Sequence, residues 1–213
     1  MQSFDILVIG GGHAGLEAAW IGSRFDLKVG LVTLPDLPIA SAPCNPAIGG
    51  VGKGQVVREI DALGGVMGKL ADQSAIQYRI LNESKGYAVQ STRVQIDKDL
   101  YAENAEALIK QDGKIEVIRE QVLEVQKSGE LFQVKTSVSE LFSKKIIVTL
   151  GTFLDGCLHT GEEKIEGGRV GSVKSKALDD IFEDVAKLGV KFKTGTPARI
   201  KYSSVDFSKL IEQ

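Results

Sequence analysis

The stretch that decides the fold is FDILVIGGGHAG, residues 4–15. Its first half is a short apolar run typical of a buried strand, and residues 16–21 continue with helical character. The glycines between strand and helix follow the pattern G-x-G-x-x-G at positions 10, 12 and 15. A second apolar run occupies residues 28–33. Residues 1–33 therefore predict a strand–helix–strand unit with two parallel strands and a right-handed crossover.

The glycine turn is a candidate site for a dinucleotide. Gly10 permits the tight turn, Gly12 lets a pyrophosphate approach the backbone, and Gly15 allows the helix to pack closely on the strand. The helix N-terminus stabilises the negative charge. The predicted cofactor-binding residues of the turn are Gly10, Gly11, Gly12, His13, Ala14 and Gly15. The alternative is a tight turn that binds nothing.

Recognition of a ribose is less clearly encoded. An acidic residue is expected about 20 residues beyond the glycines, at the end of the second strand. Here that strand ends in Thr33, and the next acidic residue is Asp36, beyond Pro35. The sequence does not identify the group that would hold the ribose.

Composition limits the remaining function classes. The 213 residues are 43% hydrophobic and carry a net charge of -2, which suits one sizeable core and gives no global attraction to nucleic acid. No apolar run of about 18 residues and no secretory leader is present, so we expect a cytoplasmic protein that does not enter a membrane. Two cysteines and two histidines argue against a disulfide framework and a metal site.

The rest of the chain reads as insertions and further strands. Residues 35–53 contain four of the five prolines and many glycines, which predicts an ordered loop. Helical spacing follows at 55–63 and 97–109. Runs at 115–125, 131–137 and 145–150, the last after a Ser143–Lys144 break, predict a small β-meander that returns to the parallel sheet.

These elements give an α/β fold of the Rossmann type, with a parallel sheet, an inserted loop and helical segment, and a small meander. A further helix is predicted from Ser175 to Gly189. The predicted boundaries are 1–33 for the opening unit, 35–90 for the Gly/Pro-rich insertion, 97–150 for the helix, meander and return strand, and 151–213 for the start of a second insertion.

Cys44 lies between Pro43 and Asn45 in the proline- and glycine-rich loop. An exposed thiolate there could act as a nucleophile if a neighbouring cation lowered its pKa. An inert buried thiol is the alternative. The glycines that follow do not form an ATP-binding P-loop, because Ala47 and Gly54 stand where that pattern needs Gly and Ser or Thr. Basic residues such as Arg79, Lys85 and Arg93 read as ordinary solvated positions.

Several strings in fixed order together resemble one family over essentially the whole chain. They are GGGHAG at 10–15, CNPAIGGVGKG at 44–54, EIDALGG at 59–65, RILNESKG at 79–86, TLGTFLDG at 149–156, GGR at 167–169 and KTGTP at 193–197. The sequence resembles the N-terminal, FAD-binding part of the MnmG family, also called GidA. The chain departs from the family pattern at Tyr87 and Gln90, where a proline and an arginine are usual.

The resemblance implies a flavoprotein that acts with an MnmE-type GTPase on transfer RNA. The family adds an aminomethyl or carboxymethylaminomethyl group at carbon 5 of wobble uridine 34. It uses FAD as redox carrier, NADH as reductant, methylene-tetrahydrofolate as one-carbon donor and glycine or ammonium as the amine. The NADH site is expected outside this chain, and a homodimer is expected for the complete protein.

The resemblance also implies roles for individual residues. Residues 10–15 would bind the FAD pyrophosphate, Val122 would contact the adenine end through its backbone, and Ser175 matches a further flavin contact. Cys44 matches a cysteine proposed to attack carbon 6 of the uracil, which would make carbon 5 nucleophilic. The alternatives are a shortened, catalytically silent paralogue that serves as a binding module, and a folate- and FAD-dependent tRNA uridine methyltransferase. We expect the chain to be incomplete, because it ends before later elements of the family.

Overall fold

The computed structural model describes residues 2–43, 46–151, 156–166 and 200–211. In chain order the helices and strands are β1 (Gln2–Ile9), α1 (His13–Ser23), β2 (Val29–Thr33), β3 (Ala47–Gly49), α2 (Lys53–Ala62), α3 (Met67–Gln73), β4 (Ala75–Leu81), β5 (Ser91–Ile96), α4 (Lys98–Asp112), β6 (Ile115–Arg119), β7 (Val122–Ser128), β8 (Leu131–Thr136), β9 (Glu140–Val148), β10 (Cys157–Thr160) and β11 (Glu163–Glu166). Short 3-10 turns occupy Glu83–Lys85, Tyr87–Val89, Tyr202–Ser204 and Phe207–Lys209.

The central sheet has six strands in the order β6-β2-β1-β9-β8-β7. The first four are parallel: β1 pairs with β2 on one side and β9 on the other, and β2 pairs with β6. All five residues of β2 are buried, as expected for a parallel strand covered on both faces. The predicted α/β fold with a parallel sheet is therefore confirmed, including the opening strand–helix–strand unit.

The meander differs from its predicted outline in two places. The run predicted at 115–125 is two strands, β6 and β7, which lie at opposite ends of the strand order. Glu120 and Gln121 separate them, and the Glu120 carboxylate accepts hydrogen bonds from Thr136 and Ser139. The return strand β9 runs through the predicted Ser143–Lys144 break. Ser143 is tolerated in the buried strand because its hydroxyl donates to the Lys145 carbonyl at 2.6 Å.

The region predicted as an ordered loop with one helix contains a second sheet. Strands β3, β5 and β4 form a three-stranded antiparallel sheet in that order, and α2 and α3 connect β3 to β4. The helix predicted at 55–63 is α2, which begins two residues earlier. The sequence prediction missed the sheet because β3 has only three residues and the partners of β4 and β5 are set by tertiary pairing.

One buried cluster joins the two sheets through the helices between them. Its members include Val8 and Leu31 from the parallel sheet, Leu16 and Ala19 from α1, Leu70 from α3, Val94 from β5 and Tyr101 from α4. A second cluster lies under the meander, with Phe4, Leu7, Ile118, Val125 and Val134. Together the clusters fix the glycine turn between α1, β2 and β9.

Helix α4 confirms the helix predicted at 97–109 and extends to residue 112. The Asp97 carboxylate caps it by accepting from the amides of Asp99 and Leu100, and Gly113 ends it with a left-handed φ of 67°. The helix predicted from Ser175 lies outside the described residues. Among the helices of the described residues, none combines the length and apolar character needed to cross a bilayer.

Candidate dinucleotide site

The site lies where three parallel strands end. Strands β2, β1 and β9 are neighbours, and their last residues are Thr33, Ile9 and Val148. The chain leaves β1 toward β2 on one side, whereas β9 lies on the other side, so the strand order reverses at β1. In open α/β sheets, ligands bind in the crevice outside the carboxyl ends of the strands at such a switch point.

Three of the turn glycines are required by the protein's own packing. A Cβ added at Gly10 would lie 2.2 Å from the Thr149 carbonyl oxygen, and φ at Gly10 is +114°. At Gly11 it would lie 2.5 Å from the Thr33 hydroxyl, and at Gly15 it would lie 1.8 Å from the Gly10 carbonyl oxygen. Packing within the protein therefore requires glycine at these three positions, whether or not a ligand binds.

Gly12 is different. A Cβ at this position would meet nothing within 4 Å, and its φ of -74° and ψ of -171° are open to any residue. Gly12 is exposed and stands at the N-cap of α1, where no side chain caps the helix. Neither the packing nor the backbone of the described residues accounts for this glycine. The space beside Gly12 is open to a ligand.

The amides beside Gly12 are available to such a ligand. The first amides of a helix have no intrahelical acceptor, and within the described residues the amides of His13 and Ala14 donate to no acceptor. No acidic residue occupies the first turn of α1. Free amides, the positive end of the helix dipole and open space are the features that binding of a pyrophosphate requires.

Neighbouring segments hold the turn in place. The Gly10 amide donates to the Val32 carbonyl at 2.8 Å, and the Thr149 hydroxyl lies 3.0 Å from the Gly10 carbonyl oxygen, to which it donates. The Ala40 amide donates to the Gly11 carbonyl at 2.8 Å. Ala40 is fully buried and has a left-handed φ of 56°, a conformation that costs free energy in a residue other than glycine. These bonds preorganise the turn before any ligand binds.

His13 packs inward instead of facing the ligand space. Its ring meets Tyr101 of α4 edge-on, with centroids 5.5 Å apart. Burial lowers the pKa of His13, which favours the neutral ring. Among the described residues, neither His13 Nδ1 nor the buried Tyr101 hydroxyl has a hydrogen-bond partner. The His13 side chain therefore packs α1 against α4, and only its backbone amide faces the open space beside Gly12.

Glu17, one turn along α1, connects the same helix to the inserted segment. Its carboxylate accepts from the amides of Val66 and Met67, at 3.0 and 2.6 Å, and so caps α3. Burial raises its pKa, although these two hydrogen bonds act in the opposite direction. The Trp20 indole donates to the Gly64 carbonyl at 3.1 Å. Helix α1 thus carries the glycine turn at one end and holds the α2–α3 connection along its side.

A second group, which the sequence analysis missed, fixes the loop that follows β2. Arg119, at the end of β6, donates to both carboxylate oxygens of Glu106 at 2.6 and 2.7 Å, and to the Leu37 carbonyl at 3.1 Å. Glu106 also accepts from the Ile39 amide at 3.0 Å. The pair ties α4 and β6 to this loop. Only the fold reveals it, because 13 residues separate the partners.

The other predicted site residues are placed as follows. Val122, half-buried, is the first residue of β7 and comes three residues after Arg119 at the end of β6. Cys44 and Ser175 lie outside the described residues. Cys157 is a free, exposed thiol on β10. In the described parts of the chain, no three His, Cys, Asp or Glu side chains are arranged to hold a metal ion.

Comparison with known proteins identifies the family. The family model described as "Glucose inhibited division protein A" matches residues 5–213. The chain belongs to the GidA family. It is 43% identical over 212 residues to the tRNA uridine 5-carboxymethylaminomethyl modification enzyme MnmG of Aquifex aeolicus, covering 99% of this chain and 34% of that protein. MnmG of Thermus thermophilus is 45% identical over 212 residues, covering 99% of this chain and 35% of that protein.

A solved structure of a GidA protein has the same fold. The crystal structure of Aquifex aeolicus GidA superposes with a TM-score of 0.79 at 43% identity, covering 86% of this chain and 31% of the solved chain. The chain spans about a third of the length of the curated relatives that it matches. The family resemblance expected from the sequence is thus confirmed.

Proposed function

We propose that this chain is the FAD-binding part of a tRNA wobble uridine modification enzyme. The observation that carries the proposal is the open space at Gly12, set beside free helix amides at the switch point of the parallel sheet. This geometry suits a pyrophosphate. The match to MnmG proteins over nearly the whole chain supports FAD as the dinucleotide and uridine modification as the reaction.

Different described residues would contact different parts of FAD. The amides of His13 and Ala14 would hold the pyrophosphate, and Gly12 would leave room for it. The loop held by Glu106 and Arg119 would line the adenosine end, where the backbone of Val122 would contact the adenine. Once bound, FAD supplies the redox chemistry. We place Ser175 as a further flavin contact.

The remaining parts of the proposal concern the complete protein. Cys44 would attack carbon 6 of the wobble uracil through its thiolate and so activate carbon 5. Methylene-tetrahydrofolate would supply the one-carbon unit, glycine or ammonium the amine, and NADH the reducing equivalents. An MnmE-type GTPase would be the protein partner and transfer RNA the substrate. A cytoplasmic homodimer is the assembly that we propose.

Flavin binding is tested with the purified chain and added FAD. After desalting, we expect the chain to retain the visible flavin absorbance and Gly12→Val to lose it, because the side chain fills the approach path of the pyrophosphate. Gly68→Ala is the control, since a Cβ there makes only ordinary contacts, the nearest at 3.5 Å from Asp61. A Gly12→Val protein that remains as yellow as the control would refute the proposed cofactor site.

The chemistry is tested separately in the complete gene product. We expect Cys44→Ala to retain FAD but to abolish the modified nucleoside, because the thiol is needed for the covalent step and not for cofactor binding. Cys157→Ala, which removes an exposed thiol, is the control and should leave the nucleoside level unchanged. Mass spectrometry of digested transfer RNA measures the outcome. Normal modification in Cys44→Ala would refute the catalytic role, and a 5-methyluridine product would favour the methyltransferase alternative.

A further inference from the structure

Residues 34–40, the first part of the loop after β2, form a strap that reaches the glycine turn. The last two residues of the strap, Ile39 and Ala40, are fully buried. Their amides are separated by a single Cα atom, yet they donate to two different parts of the molecule. The Ile39 amide donates to the Glu106 carboxylate of α4 at 3.0 Å. The Ala40 amide donates to the Gly11 carbonyl at 2.8 Å, so a displacement of the strap at α4 would reach the glycine turn directly.

Ala40 has a strained backbone at this junction. Its φ of 56° lies in the left-handed region, where the Cβ of an alanine crowds the following carbonyl oxygen. Such a conformation persists only where surrounding contacts impose it. If those contacts were lost, we expect Ala40 to relax to an ordinary backbone conformation and its amide to leave the Gly11 carbonyl.

An ion pair beside the strap, which we call the latch, supplies such contacts. Arg119, the last residue of β6, donates to both carboxylate oxygens of Glu106 at 2.6 and 2.7 Å, and to the Leu37 carbonyl at 3.1 Å. The arginine thus holds the strap directly at Leu37 and, through Glu106, at Ile39. Because bidentate pairing between arginine and a carboxylate fixes orientation as well as distance, the latch fixes the path of the strap toward Ala40.

The latch is poorly placed to serve stability alone. The Arg119 side chain is 39% exposed and the Glu106 side chain 34% exposed, and both line an open groove of about 560 Å³ between α4 and β6. Solvent screens an ion pair in such a position, and exposed pairs contribute little to the free energy of unfolding. The other hydrogen bonds of both side chains go to the strap.

We propose that Arg119 and Glu106 are positioning residues for the cofactor. They hold the strap so that the Ala40 amide keeps the Gly11 carbonyl, and with it the glycine turn, in the shape that receives a pyrophosphate. Without the latch, binding would have to order the strap, and that ordering would lower the affinity for the ligand. The inference rests on the proposed function, which supplies FAD as the dinucleotide.

The test measures the affinity of the complete gene product for FAD by titration of flavin fluorescence. We expect Arg119→Gln to weaken binding about 10-fold, as for the loss of one charge-assisted anchor. Arg119→Lys should weaken binding less, since lysine keeps the charge but not the bidentate geometry. Lys144→Gln is the matched control, because it breaks another ion pair, in which Lys144 of β9 lies 2.7 Å from Asp5 of β1. Its affinity for FAD should equal that of the wild-type protein.

Ala40→Gly separates positioning from a merely structural role. Glycine adopts the left-handed conformation without the steric cost that alanine has, so the strap should no longer depend on the latch. In a double-mutant cycle, we expect Arg119→Gln to weaken FAD binding by less than about 3-fold when Ala40→Gly is also present. An undiminished loss in the presence of Ala40→Gly would overturn the proposal, because the pair would then support the fold and not the strap.

The remaining outcomes distinguish this inference from the proposed function. Equal affinity for FAD in Arg119→Gln and the wild-type protein would overturn the positioning role and leave the cofactor site intact. A wild-type protein that binds no FAD would contradict both. Melting temperatures without FAD identify a variant that has not folded. Glu106→Gln then tests the same contact, because it keeps an oxygen acceptor for the Ile39 amide; we expect about 3-fold weaker binding, and unchanged binding would count against the latch.

Discussion

Two glycines cap the N-termini of helices α1 and α2, and they differ in what requires them. A Cβ would meet nothing within 4 Å at either Gly12 or Gly52. Gly52 has a left-handed φ of 71°, whereas Gly12 has a φ of -74°. The backbone therefore explains Gly52, since other residues adopt that conformation at a cost. Neither the backbone conformation nor the packing requires glycine at position 12.

The amides behind the two caps differ in the same way. In α2, the amides of Lys53 and Gly54 both donate to the Gly50 carbonyl, at 3.0 and 3.1 Å. In α1, the amides of His13 and Ala14 donate to no acceptor in the described residues. The α2 terminus satisfies these two donors itself, whereas the α1 terminus leaves them unpaired within the described residues. A glycine-rich pattern alone does not distinguish the two cases.

The largest effect is expected at a glycine that packing requires. Gly15→Ala would place its Cβ 1.8 Å from the Gly10 carbonyl oxygen, a backbone atom held by the Thr149 hydroxyl. We expect a loss of about 3 kcal/mol or more in the free energy of unfolding, because the helix must move away from the strand. Urea denaturation measures the loss without FAD. Stability equal to that of the wild-type chain would show that the turn is not closed by the protein itself.

The sequence predicts this turn well because the determinants are local. The apolar run, the glycines and the helical pattern follow one another within residues 4–21. The position of each element therefore limits where the next can begin. The same holds for α4, whose cap Asp97 and terminal Gly113 stand at the ends of an apolar stripe.

The parts that the sequence did not predict depend on distant pairings. Only the register of β4 with β5 reveals that Arg79 lies opposite Arg93. The bidentate contact between Glu106 and Arg119 requires α4 to lie beside the end of β6. Likewise, the run at 115–125 contains no strong turn signal, and it is divided because β6 pairs with β2 whereas β7 pairs with β8. These contacts are properties of the assembled fold and not of any single segment.

We expect His13, the first residue of α1, to make the free energy of unfolding depend on pH. His13 packs against Tyr101 and its pKa is lowered by burial from 6.5, whereas Lys53 is exposed. Below pH 6.5 the unfolded chain binds a proton that the folded chain resists, so this contribution to stability is present above that pH and is lost as the pH falls. The slope is at most about 1.4 kcal/mol per pH unit for one proton.

We expect His13→Gln to flatten the loss of stability between about pH 7.5 and about pH 5.5, the range in which histidine titrates. Urea denaturation of both proteins across this range is the measurement. His159→Gln, which removes an exposed histidine on β10, controls for the loss of a histidine. An unchanged pH dependence in His13→Gln would show that another group dominates in this range.

The smallest effects still separate the two caps, because they differ in size. Gly12→Ala fits its backbone and should change the free energy of unfolding without FAD by less than about 0.5 kcal/mol, since alanine restricts the unfolded chain but caps a helix less well than glycine. Gly52→Ala must adopt a left-handed conformation and should lower it by about 1 kcal/mol. The two variants should differ in the opposite order in their affinity for FAD. Gly12→Ala should bind flavin more weakly than the wild-type chain, and Gly52→Ala should bind it equally well. Calorimetry with and without FAD measures both quantities, and equal stability changes at the two glycines would remove the case that Gly12 is kept for a ligand.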